Sequence, residues 1–102
     1  MNPSPALIQA FFDEQTSTVT YLVADPSSRD AAIIDPMLDY DHRSGRASVD
    51  SAERVLAYAK AEGFRITWIL ETHAHADHLS AAPYLKQRTG ASVGIEIGRA
   101  HV

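Results

Sequence analysis

The sequence predicts an α/β domain, and three observations predict it. Short runs rich in β-branched and aromatic residues recur along the chain. Segments with helical spacing of apolar residues separate the later runs. Glycine, proline, serine and aspartate punctuate the joints. Together they give the order β-β-β-α-β-α-β, without internal repeats, which is an α/β layout.

Residues 1–5 read as a flexible lead. Ala6 to Phe12 is apolar enough for a first strand. Thr18 to Ala24 is a second, and Asp25-Pro26-Ser27-Ser28 turns the chain back. Ala31 to Asp35 then pairs as the return arm of a hairpin. Residues 36–48, polar and broken by Pro36 and Gly45, read as a loop. Asp50 followed by Glu53 reads as a capping box. The helix it opens turns Val49, Ala52, Val55, Leu56 and Ala59 inward and stops at Gly63. Arg65 to Leu70 is a nearly continuous apolar run, expected as a buried strand. Tyr21 and Trp68, aromatics within strands, are expected in the core. Ser80 reads as the cap of a second helix through Arg88, with Pro83 in its first turn and Gly90 after it. Ala91 to Ile95 begins another strand.

A chain of 102 residues suffices for one small domain with its own core. Hydrophobic residues make up 45% and charged residues 22%, an ordinary globular composition. A net charge of −4 argues against a nucleic-acid partner. The absence of cysteine excludes a disulfide scaffold and a thiolate metal site. No apolar run reaches the length of a membrane span, so no membrane partner is expected. The N-terminus lacks the basic segment and apolar stretch of a signal peptide, so a cytoplasmic location is expected.

The chemistry concentrates in His73-Ala74-His75-Ala76-Asp77-His78, directly after the predicted strand. Imidazole and carboxylate are the usual ligands of zinc and of non-haem iron. Residues two apart in an extended segment project to the same side, so His73 and His75 reach one ion together. Asp77 and His78 lie just beyond, where the chain turns towards a helix, and face a second ion. Paired metals sit about 3.5–4 Å apart. The spacing fits a dinuclear site or a mononuclear site with Asp77 and His78 as a spare acid/base pair. No glycine-rich phosphate loop and no GxSxG elbow occurs, so a serine hydrolase is not indicated. Ser80 is read as a cap rather than a nucleophile, Glu71 as the end of its strand, and Asp39, Asp41 and His42 as a solvated loop.

Thr72-His73-Ala74-His75-Ala76-Asp77-His78 resembles the signature loop of the metallo-β-lactamase superfamily. Thr18 to Asp25 and Ala32-Ile33-Ile34-Asp35-Pro36 resemble its opening strands, so the likeness covers about residues 10–95. Within the superfamily, Met37 to Asp41 and Ser44-Gly45-Arg46 are similar to a loop of the persulfide dioxygenase branch, with glyoxalase II as close kin. The resemblance implies the N-terminal half of an αββα sandwich, truncated after its first βα half. It implies a mononuclear iron(II) site or a dinuclear zinc site, and a small thiol-derived substrate, either a glutathione-type persulfide or a thioester. As an iron dioxygenase, the enzyme would use His73 as a ligand, with His75, Asp77 and His78 completing or shaping the surroundings. As a thioester hydrolase, it would hold one zinc on His73 and His75 and the other on Asp77 and His78. The family has an aspartate at the strand end occupied by Asp35, which implies support of the metal loop; without the resemblance Asp35 reads equally as a turn residue.

The remaining ligands in the family come from its second half. Outside the motif only His42 and His101 occur, neither in a family-like context. Residues 1–95 are therefore expected to be the N-terminal part of such a domain, inactive alone. Residues 96–102 are expected to be a non-native tail: Glu96-Ile97-Gly98-Arg99-Ala100-His101-Val102 is what GAG ATC GGA AGA GCA CAC GTC encodes, which resembles a sequencing adapter.

Overall fold

The computed structural model describes residues 6–13, 18–41, 46–72 and 80–95. The expectations for residues 1–5, for Gly45 and for 96–102 lie outside the described residues.

The first three strands run along the chain as expected: β1 (Leu7–Asp13), β2 (Thr18–Ala24) and β3 (Asp30–Ile34). They pair antiparallel in sequence. After β3 come two three-residue strands, β4 (Asp39–Asp41) and β5 (Arg46–Ser48), which pair as a small separate ribbon. The polar loop expected over 36–48 is thus a hairpin. Three residues per arm are too few to display an alternating apolar pattern, the signal by which strands are read.

Helix α1 (Asp50–Glu62) follows, then β6 (Arg65–Glu71), helix α2 (Ala82–Thr89) and β7 (Ser92–Ile95). β6 lies parallel to β3 and β7 parallel to β6, so the main sheet has the order β1-β2-β3-β6-β7. Right-handed crossovers that advance in one direction put both helices on the same face. Ala52, Val55 and Ala59 of α1 and Ala82 and Leu85 of α2 accordingly share one buried cluster with Leu22, Ala24, Ala31, Ile33, Ile66 and Ile69. Leu22, Ile33, Ile69 and Leu85 are fully enclosed. Gly63 and Gly90 close the helices in left-handed conformations, with φ of 76° and 75°.

Two helix starts differ from expectation. Asp50 is the first helical residue of α1, the cap position is Val49, and no side chain caps it. Glu53 does not reach back, because its carboxylate accepts hydrogen bonds from the Tyr84 hydroxyl and the Arg88 guanidinium of α2. At α2 the cap position is Ala81 rather than Ser80. Ser80 Oγ still serves the helix start, accepting the Ala82 N–H at 3.0 Å.

Tyr21 and Trp68 are not core residues: they are 38% and 48% exposed. For Trp68 the reason is a β-bulge. Ala31 pairs with Ile66, but the next residue, Ala32, pairs with Trp68, which leaves Thr67 as an extra residue in β6. A one-residue shift reverses every later side chain. Ile66 and Ile69 therefore face the helices, while Trp68 is turned to the other side. Thr67 Oγ1 donates to the Ala31 carbonyl across the bulge at 3.3 Å. Tyr21 lies on the same outer face through ordinary alternation, between buried Thr20 and Leu22.

Candidate metal centre

β3 and β6 are parallel, so their carboxyl ends lie at one edge of the sheet, the customary place for ligands in α/β proteins. The segments leaving that edge are bound to each other. Asp35, the residue after β3, has φ of 57°. Aspartate tolerates this left-handed region better than most side chains. The turn aims the Asp35 carboxylate at Thr72, the residue after β6. One oxygen accepts the Thr72 N–H at 2.7 Å and the other the Thr72 hydroxyl at 2.6 Å. The backbone of Asp35 is also held: its N–H donates to the Leu70 carbonyl at 2.8 Å. Its carbonyl accepts the Thr20 hydroxyl at 2.9 Å. Thr20, 6% exposed, is a buried polar residue on the core face of β2, and this bond accounts for it.

The chain is fixed again at Ser80. Its hydroxyl donates to Glu71 Oε2 at 2.7 Å. Ser80 forms an isolated antiparallel bridge with Met37, and the Ala81 N–H donates to the Pro36 carbonyl at 3.4 Å. Segment 35–37 therefore grips the chain both before and after residues 73–79. Asp35 stands where the family resemblance implied a supporting residue, touching the loop's first residue. Its use as an ordinary turn aspartate is also visible, in its left-handed backbone. Glu71 ends β6 as expected, but its bond to Ser80 was not anticipated. Their separation of nine positions carries no periodic signal, and only the folded chain brings them together.

His73, His75, Asp77 and His78 lie outside the described residues, as do His42 and His101. Among the described residues no group of three or more histidines, aspartates or glutamates could hold a metal ion. Three imidazoles and a carboxylate, in a chain without cysteine, match the donor chemistry of zinc and of non-haem iron.

The family model described as the metallo-beta-lactamase superfamily matches residues 14–102. The chain belongs to the metallo-beta-lactamase superfamily. Among curated superfamily relatives, a Burkholderia pseudomallei protein named as a probable metallo-hydrolase is 51% identical over 88 residues, which is 86% of this chain and 30% of that one. Glyoxylase B2 of Dictyostelium discoideum is 41% identical over 79% of this chain and 28% of its own length. The mitochondrial persulfide dioxygenase ETHE1 of Bos taurus is 32% identical over 81% of this chain and 28% of its own. The crystal structure of ETHE1 from Myxococcus xanthus superposes with a TM-score of 0.69 at 33% identity, covering 85% of this chain and 34% of that one. The chain thus spans about a third or less of the proteins it matches, and its mixed sheet and two helices correspond to the N-terminal part of the metallo-beta-lactamase fold. Metal ions are implied by the superfamily.

Proposed function

We propose that this chain carries the HxHxDH half of the metal site of a persulfide dioxygenase-like enzyme, acting on a small glutathione-type persulfide. The observation that carries the reading is the two-pronged grip of Asp35 on Thr72, which fixes the chain one residue before His73. Similarity to a persulfide dioxygenase over most of the chain supports the branch. In this reading His73 holds iron(II), with further ligands from outside these residues, and His75, Asp77 and His78 complete or shape its surroundings. When bound, iron supplies redox capacity and open positions for substrate and dioxygen. The terminal sulfur of the persulfide is oxidised to sulfite, dioxygen is reduced, one water is consumed and the thiol leaves. Asp35 takes no part in bond making; it sets the position from which the histidines start.

A second reading is a dinuclear zinc thioester hydrolase, favoured by the 41% identity to glyoxylase B2. His73 and His75 would hold one zinc and Asp77 and His78 the other. Metal analysis and turnover of the complete enzyme separate the two. One iron per chain with oxygen consumption on glutathione persulfide is the expected result. Two zincs with thioester cleavage and no oxygen uptake would replace the first reading by the second. Because the chain spans about a third or less of the proteins it matches, the 102 residues alone are expected to bind metal without turnover. Residues 96–102 are read as a non-native tail, which sequencing the coding DNA tests: codons unlike those of the adapter would refute it.

A further inference from the structure

We propose that Glu71 and Ser80 form a positioning pair that sets the metal affinity of the loop between them, a proposal that rests on the metal reading of residues 73–78. Glu71 ends β6 and Ser80 precedes α2 by two residues, and the Ser80 hydroxyl donates to Glu71 Oε2 at 2.7 Å. The same Oγ accepts the Ala82 N–H at 3.0 Å, so the pair joins the strand that delivers the loop to the helix that receives it. Both partners are only partly exposed. The Met37 bridge to Ser80 adds a third element. Asp35 holds the entry through Thr72, and the Glu71–Ser80 bond ties entry to exit directly. Fixing both ends of a short segment removes conformations that metal binding would otherwise have to remove, so affinity rises without any added ligand. Neither residue need touch the ion.

The test is cobalt(II) titration of the 102-residue chain, followed by visible absorption, with amide hydrogen exchange on the metal-free chain as a second readout. Glu71→Ala and Ser80→Ala are each expected to weaken cobalt binding about 10- to 100-fold, the range typical of residues that support metal ligands. The double variant is expected to be no weaker than either single one, since both remove the same bond. Glu71→Gln is expected to retain most of the affinity, because its amide oxygen accepts the same hydroxyl; a merely structural glutamate charge would not be rescued in this way. In the metal-free chain, Glu71→Ala and Ser80→Ala should speed exchange of the Thr72 and Ala82 amides, while Glu62→Ala, at an exposed position of α1, should not. Unchanged cobalt affinity in Glu71→Ala, or additive losses in the double variant, would overturn the proposal. Absence of any cobalt band in the unaltered chain would overturn the metal reading, and exchange rates altered as expected would then show the pair to be a structural tie alone.

Discussion

At the residue scale, Asp35 joins the two segments that leave the carboxyl edge of β3 and β6. It joins a left-handed backbone to a carboxylate that takes both donors of Thr72. Asp35→Ala removes both acceptors and places a Cβ residue with poor left-handed tolerance at that turn. Zinc affinity measured by competition should fall about 10- to 100-fold. Asp35→Asn should lose less, since its amide oxygen still accepts the Thr72 N–H and the hydroxyl can reverse to accept from the amide nitrogen. Gly63 is a second residue with a conformational demand, at φ of 76°. A Cβ there would meet nothing closer than the Arg29 guanidinium at 3.8 Å, so the obstacle is backbone energy rather than space. Gly63→Ala should cost about 1–2 kcal/mol in a denaturant melt.

At the element scale, the helices are tied together by side chains that the sequence presents in other guises. Glu53 has the spacing of a capping box with Asp50, yet Tyr84 and Arg88 of α2 claim its carboxylate. The Tyr84 hydroxyl, then Arg88, hold the Glu53 carboxyl below the usual carboxylate range, and Glu53 in turn pushes the Tyr84 phenol up. A depressed carboxyl stabilises the fold above the ordinary glutamate range, and that contribution is lost as pH falls through the folded value. Tyr84→Phe should therefore move the acid-unfolding midpoint upward in pH, as followed by circular dichroism. An unchanged midpoint would show the cluster to be energetically idle. Strands and helices were legible in the sequence because their patterns are local: β2 runs over the expected Thr18–Ala24, and both helices end at the expected glycines. The β4–β5 ribbon has arms too short to display a strand pattern, and the bulge at Thr67 and the Glu53 clamp depend on partners distant along the chain, which no local pattern encodes.

At the scale of the whole molecule, the sheet has two unlike faces. One is sealed by α1 and α2 over Leu22, Ile33, Ile69 and Leu85. Leu22→Ala should cost about 2–5 kcal/mol, the range for emptying an enclosed leucine site. The other face carries Ile8, Phe12, Tyr21 and Trp68, which are 63%, 58%, 38% and 48% exposed. Apolar patches of this kind mark contact surfaces. The folded chain should bind 8-anilinonaphthalene-1-sulfonate, and Trp68→Ser with Phe12→Ser should reduce that fluorescence while leaving the melt much less affected than Leu22→Ala does. The family resemblance anticipated half of a sandwich, and this chain covers 30%, 28% and 34% of the matched proteins. What it could not anticipate was that Trp68 would face outward, because that is decided by the phase of one bulge. No described helix is long and apolar enough to cross a membrane.

In the proposed reading, residues 73–78 hold the metal on the frame supplied by Asp35, Glu71 and Ser80. Isothermal titration of zinc into the metal-free chain, beside a His73→Ala/His75→Ala variant with an unchanged melt, tests it most directly. The unaltered chain should bind zinc with defined stoichiometry, and the variant should lose that binding. Equal zinc binding by both would show that His73 and His75 do not hold the metal.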